Sequence, residues 1–212
     1  HGEKIVMRIV DKSKKIPKLI DLGIVWKNYD IFMKAIDLPN GIILTSGPTG
    51  SWKSTTLYSA MSLLNKVGVN LMTLEDPVEN QIDGLNQSQV KPDIWYTFAN
   101  GLRTALRQDP DIIMIGEIRD EETARVAINS ALTGHLVLST IHTNSASETI
   151  TRIINMDVQP FLIPASVNAI IAQRLIKRLC SCKQVMEMKE IWKDTLLNIK
   201  NAIHLTDKTE LQ

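Results

Sequence analysis

The stretch Gly47-Pro48-Thr49-Gly50-Ser51-Trp52-Lys53-Ser54 limits what this chain can fold into more than any other segment. It meets the phosphate-loop pattern G-x-x-x-x-G-K-[ST] at every fixed position but the second glycine, where Trp52 stands. Ahead of it Gly41 to Ser46 (GIILTS) reads as a short apolar strand, and behind it Thr55 to Leu64 reads as a helix. Strand, loop and helix in that order are the setting the pattern requires, and a coincidental Lys-Ser after a glycine-rich turn would lack it. In such a loop successive N–H groups turn inward and join the positive helix end to make a concave anion site. The candidates for binding a nucleotide are Gly47, Pro48, Thr49, Gly50, Ser51, Trp52, Lys53, Ser54 and Thr55. Lys53 is placed to reach the β- and γ-phosphates, and the Ser54 hydroxyl to hold Mg²⁺. Glycine serves in these loops because a Cβ obstructs both the backbone conformation and close approach to phosphate. Trp52 threatens both.

The rest of the chain supplies strands and helices in alternation. Glu3 to Val10 (EKIVMRIV) is rich in β-branched residues and is predicted to be a strand, and Asp11 to Lys18 is a basic, proline-containing connection. A strand this close to residue 1 implies a fragment of a longer protein. Asn28 to Asp37 is predicted helical, and Pro39-Asn40-Gly41 turns the chain into its first core strand. Val69 to Leu74 gives the next strand and delivers Glu75, Asp76 and Glu79 at its carboxyl end. Ligands bind at that edge of open α/β sheets, so these acids are candidates for Mg²⁺ or its waters; a solvated acidic loop is the alternative.

Thr97 to Gln108 is predicted helical, with Arg103 and Arg107 on one face. They are either solvated or complete a neighbouring subunit's phosphate site. Asp111 to Glu117 (DIIMIGE) is a continuous apolar strand ending in an acid, the shape of a Walker B element, with Glu117 placed to orient or deprotonate an attacking water. Asp120 caps a helix whose buried stripe is Ala124, Ala127, Ile128 and Ala131. His135 to Ile141 (HLVLSTI) is a further buried strand bracketed by His135 and His142, one of which is a candidate phosphate sensor. From Thr149 onward a helical reading prevails, with an apolar stripe from Val167 to Leu179 and one weak helix from Glu187 to Ile203. The alternation predicts an α/β fold: a doubly wound, mostly parallel sheet of the P-loop NTPase (RecA-like) kind with a helical C-terminal part.

Composition excludes other classes. The net charge of +1 offers no basic field for nucleic acid. No apolar run approaches the ~18 residues of a membrane span, and the polar N-terminus has no signal-peptide pattern. Cys180 and Cys182, one residue apart, suit neither a disulfide framework nor a closed zinc site, which points to a reducing cytoplasm.

Several blocks together resemble one family, the secretion-superfamily ATPases that assemble type IV pili and drive type II secretion. They are Gly2 to Arg8, the phosphate loop, Leu74 to Glu79 (LEDPVE), Leu102 to Asp120 (LRTALRQDPDIIMIGEIRD) and Gly134 to Asn144 (GHLVLSTIHTN). The resemblance runs from about residue 2 to residue 183, and the block around Leu106 to Asp120 is its most specific part. It implies that Lys53 and Ser54 belong to Walker A, that Glu75, Asp76 and Glu79 form an acidic box near Mg²⁺, and that Glu117 is the general base. It places His135 and His142 in a histidine box, and Arg103, Arg107 and Arg119 in arginine-containing segments, so that Glu117, Lys53, Arg103, Arg107 and His142 are the expected catalytic set. It implies ATP and Mg²⁺ as cofactors, a homo-hexameric ring, and a cytoplasmic location peripheral to the inner membrane beside a platform protein. Residues 1–22 become the last strand and linker of a truncated PAS-like domain, with Arg8 on that strand; 23–148 become the ATPase core and 149–212 a helical C-terminal part.

Departures from the family pattern carry their own expectations. Cys180-Ser181-Cys182 is one residue short of a Cys-x-x-Cys pair and a second pair is missing, so no zinc is expected. The segment that marks retraction ATPases is absent, which favours assembly or secretion. Trp52 stands at a glycine of the pattern, Trp95 where the family usually has glycine, and Trp26 at a position where glycine is plausible. A decoding artefact accounts for all three, since UGA means glycine in some bacterial lineages and tryptophan in others; an inactivating change and a single-base mutation compete with it. The expected function is an ATP-hydrolysing motor subunit for pilus assembly or type II secretion. A non-hydrolysing structural ring subunit, disabled by Trp52, is the alternative, and a ring ATPase for DNA transfer is a third.

Overall fold

The computed structural model describes residues 2–7, 15–177, 179–184, 192–195 and 197–198. They belong to two compact units, residues 1–175 and 176–212. The first is built on one sheet. Its elements are α1 (Trp26–Ile36), β1 (Gly41–Ser46), α2 (Lys53–Leu64), β2 (Leu71–Glu75), β3 (Asn86–Gln89), α3 (Phe98–Ala105), β4 (Ile112–Ile115), α4 (Glu121–Leu132), β5 (Leu136–Ile141), α5 (Ala146–Ile154), α6 (Ile163–Ser166) and β6 (Val167–Ala172). Short 3₁₀ turns at Pro92–Ile94, Leu106–Gln108 and Pro160–Leu162 link them.

The six strands lie in the order β3-β2-β4-β5-β1-β6, and every pairing is parallel. A parallel sheet covered on both faces favours near-continuous apolar strands, and β1, β4 and β5 are buried at every position, with Thr45, Ser46, Ser139 and Thr140 as the polar exceptions. Their side chains alternate between two cores. Ile42 and Leu44 of β1 pack with Leu102 of α3 and Ala127 and Ile128 of α4. Ile43 points the other way, into a core with Phe32 of α1 and Leu57 and Met61 of α2. Each such side chain contributes about 1.5–3 kcal/mol on burial. The expected doubly wound sheet is therefore present.

Helix starts follow the local sequence. Asp120 accepts a hydrogen bond from Thr123 N at 2.8 Å, and Glu121 and Glu122 place negative charge in the first turn of α4. Thr97 caps α3 through Asn100 N, and Ser145 caps α5 through Glu148 N.

Three segments differ from expectation. Residues 3–7 form no strand, and Ile5, Val6 and Met7 are each 80% exposed or more. A single extended segment cannot satisfy its backbone groups without a neighbour, whatever its β-propensity. Arg8 and the rest of that predicted strand lie outside the described residues. Val167 to Ala172, read as helical, is β6, the edge strand beside β1. Its Val167 and Ile170 join one core while Ala169 and Ile171 join the other, so tertiary pairing overrides a pattern that also fits a helix. The polar β3 (Asn86–Gln89) carries no hydrophobic signal, and its main chain pairs with β2 at the opposite edge.

In the second unit Cys180 and Cys182 are joined by a disulfide, contrary to the reading of their spacing. Their Cα atoms are 5.4 Å apart, within the range a disulfide spans. The weak helix expected from Glu187 to Ile203 falls mostly outside the described residues, which are helical at 192–195. Among the described residues no helix is long and apolar enough to cross a membrane.

Candidate functional site

Because all strands are parallel, their carboxyl ends share one edge of the sheet. Strand order sets the sequence of chemistry along it: the acidic segment after β2, Glu117 after β4, His142 after β5, the glycine-rich loop after β1, and Gln173 and Arg174 after β6. Glu117 and the loop are separated by one strand, and His142 leaves that strand between them.

The loop runs from Gly47 to Trp52 into α2. Gly47 has φ 143°, and a Cβ there would sit 2.5 Å from Gln173 O and 2.6 Å from Ser51 Oγ. Glycine is required at that position by space as well as by conformation. The turn is held by Ser51, whose Oγ and N both donate to Pro48 O. Trp52 is the residue before α2, in the left-handed region at φ 64° and ψ 30°. Its carbonyl accepts from Thr56 N and Oγ1, and its indole is about half exposed.

Lys53 is almost fully buried, and its Nζ donates to Gly47 O at 3.0 Å and Pro48 O at 3.1 Å. Burial pushes its pKa below the ordinary 10.5, the Glu117 carboxylate opposes that shift, and the Arg174 guanidinium adds to it. Ser54 and Thr55 are half-buried on the first turn of α2.

Glu117 is buried too. Its Oε1 pairs with Arg119 Nη2 at 2.5 Å, and His142 Nε2 lies 3.3 Å from Oε2 without the alignment of a hydrogen bond. Oε2 is thus a buried carboxylate oxygen with no hydrogen-bond partner among the described residues. Such an atom is costly unless something binds it, and it is the natural acceptor for a water proton. Gly116 lets β4 end close to β2, since a Cβ there would meet Leu74 O at 3.2 Å.

The three acids after β2 part company. Glu75 turns inward: its Oε2 accepts from the Tyr58 hydroxyl, and its Oε1 from Thr73 Oγ1 at 2.5 Å and Gln87 Nε2 at 3.0 Å. Burial, then the hydrogen bond and charge of Glu75, raise the Tyr58 pKa. Asp76 and Glu79 are exposed. Among the described residues no three His, Cys, Asp or Glu side chains converge on a metal position. Mg²⁺ takes one or two protein oxygens and completes its shell with water and substrate phosphate. Ser54, Asp76 and Glu79 offer hard oxygens of the right kind, while the Glu75 oxygens are occupied by protein donors.

Other expected site residues lie elsewhere. His135 precedes β5 and so sits at the amino edge, roughly 20 Å of strand away from His142, where its Nδ1 contacts Ser130 O at 3.1 Å. Arg103 on α3 bridges to Glu122 at 2.7 Å and Asn100 at 3.1 Å, on the sheet face opposite α2. Arg107 is exposed in the turn after α3. The structure brings neither arginine to this chain's own loop.

Sequence reasoning missed Gln173. Its N donates to Ser46 O at 2.9 Å, its Nε2 donates to Thr56 Oγ1 at 2.8 Å, and its carbonyl stands over Gly47. It ties the end of β6 to both ends of the loop. Arg174 beside it donates to Asn144 O at 2.6 Å. No signal marked Gln173, and Arg174 reads from sequence only as part of the polar side of a helix.

Known proteins resemble this chain in sequence and fold. A family model for Type II/IV secretion system protein matches residues 1–209. The Type II secretion system ATPase E of Vibrio cholerae is 52% identical over 188 residues, 88% of this chain and 37% of that protein. The Type IV pilus assembly ATPase PilB of Myxococcus xanthus is 55% identical over 187 residues, 88% of this chain and 33% of that protein. The chain thus spans about a third of the length of these relatives. Among solved structures, the pilus retraction motor PilT with bound ADP matches at a TM-score of 0.71 and 33% identity, covering 91% of this chain and 60% of that one. Matched along nearly its whole length by the family model, and by relatives that share half its residues, the chain belongs to the Type II/IV secretion system protein family.

Proposed function

We propose that this chain is the ATP-hydrolysing part of a motor subunit for type IV pilus assembly or type II secretion. The observation that carries the proposal is the buried Oε2 of Glu117, which has no hydrogen-bond partner among the described residues and lies one strand from the phosphate loop, near enough to Lys53 to perturb it. Lys53 leaves the Gly47 and Pro48 carbonyls to hold the β- and γ-phosphates, and the loop N–H groups cradle them. Glu117 Oε2 takes the proton of a water that attacks the γ-phosphorus as the bond to the bridging oxygen breaks, giving ADP and phosphate. The Ser54 hydroxyl would hold Mg²⁺, with Asp76 and Glu79 as further oxygen donors, and the ion would supply charge neutralisation at the phosphates. Arg119 and His142 orient Glu117, and Arg103 and Arg107 face outward for a neighbouring subunit. The working form in this proposal is a homo-hexamer, cytoplasmic and peripheral at the inner membrane beside a platform protein. The relatives named as assembly and secretion ATPases support the motor role.

A second reading, a structural ring subunit that does not hydrolyse ATP, is favoured by one observation: an indole at the loop position preceding α2. Both are tested in the intact protein carrying Trp52→Gly. Under the motor reading that chain turns over ATP, and adding Glu117→Gln lowers turnover about 10²–10⁴-fold with folding intact. Absence of turnover in the Trp52→Gly chain sinks the motor reading; equal turnover by the chains with Trp52 and with glycine sinks the structural one, which expects turnover by the glycine chain alone.

A further inference from the structure

Five non-glycine residues of the described chain have positive φ: Trp26 at 52°, Trp52 at 64°, Trp95 at 62°, Asp109 at 50° and Asp157 at 58°. Aspartate tolerates the left-handed region because its short polar side chain bonds locally. Tryptophan has no such device, and a bulky residue there is an outlier. A few per cent of non-glycine residues have positive φ, so three tryptophans doing so independently is an event on the order of one in ten thousand.

Position within the fold says the same thing three times. Trp26 opens α1, Trp52 precedes α2, and Trp95 closes the 3₁₀ turn Pro92–Ile94, its N–H donating to Pro92 O. Helix ends are where chains use glycine to take a left-handed step. The side chains contribute nothing in return. They are 68%, 52% and 81% exposed, although tryptophan is normally kept for the large area it buries. Seven of the chain's glycines already occupy positive φ, so the fold relies on glycine for this task elsewhere.

We infer that positions 26, 52 and 95 are glycine in the protein as its own cell makes it, the codon there being one that its host reads as glycine. Position 52 then completes the phosphate loop, with no Cβ between the backbone and the anion and no strain in the step into α2. The inference rests on backbone conformation and exposure, and it does not depend on the chain hydrolysing ATP.

Peptides spanning the three positions, sequenced by mass spectrometry from protein purified out of the source cells, provide the test. Glycine at all three is the expected result, and tryptophan at any one of them overturns the inference. A second measurement isolates the loop, comparing binding of a fluorescent ADP analogue by the protein with Trp52 and by the Trp52→Gly variant, with circular dichroism showing both folded. Affinity rises on the order of tenfold or more if the loop is built for glycine. Equal or weaker binding by the glycine variant overturns the assignment at position 52. Because the peptide masses are indifferent to turnover, failure of this inference and failure of the motor reading are told apart.

Discussion

At the scale of single residues, the site is a balance of buried charges. Lys53 loses hydration and is repelled by Arg174, while Glu117 holds part of its charge in place. For a lysine whose folded pKa is lowered, the unfolded chain binds more protons between the folded value and 10.5, so stability rises with pH across that window. The Lys53 amine, followed by NMR of labelled lysine, is expected to titrate below 10.5. Glu117→Gln removes the one opposing charge and is expected to lower the Lys53 pKa further; an unchanged or raised value would count against the coupling. Glu75 shows the opposite use of a carboxylate. Its oxygens are filled by Tyr58, Thr73 and Gln87, so it anchors β2 to α2 and β3. Tyr58→Phe leaves that buried charge short of a donor, and chemical denaturation is expected to show a loss of about 1.5–3 kcal/mol. The motif residues Lys53, Ser54 and Glu117 were legible from sequence because their chemistry is local to a loop or a strand end. Two of the partners of Glu75 were not, since Tyr58 comes from α2 and Gln87 from β3.

Elements divide according to whether their signal is local. The helix α4 announces itself, with a capping aspartate, acids in the first turn and an alanine-rich stripe. Asp120 serves both Thr123 N and Thr123 Oγ1, so Asp120→Ala is expected to cost about 1–2 kcal/mol by equilibrium denaturation. A loss below a few tenths would mean the cap is idle. Strands β1, β4 and β5 were legible for a similar reason: buried on both faces, they are predominantly apolar, with Thr45, Ser46, Ser139 and Thr140 as buried polar exceptions. β3 and β6 were not. β3 is polar because it is an edge strand held by main-chain pairing, and β6 has adjacent isoleucines that a helix could equally accommodate. Residues 3–7 are the converse, strand-like in composition and unpaired in the structure.

At the scale of the whole molecule, strand order decides which residues meet. Inserting β5 between β4 and β1 places His142 between Glu117 and the phosphate loop, and the same strand carries His135 to the far edge. His142→Ala is therefore expected to lower ATP turnover in the Trp52→Gly background, while His135→Ala leaves turnover near that of the parent and affects thermal stability alone. Equal losses of turnover would contradict this division of the two histidines. The sequence by itself determined the class of fold, the loop, its lysine and the acid after β4, because each is written in contiguous residues whose periodicity or spacing reports local geometry. Tertiary structure alone decided that Gln173 braces the loop, that Glu75 faces inward and that the two histidines part. Those facts depend on which strands lie side by side, and parallel pairing joins residues far apart in the chain. The backbone at position 52 belongs to both levels. Spacing alone identified it as a glycine position, and the fold shows the left-handed conformation that explains why.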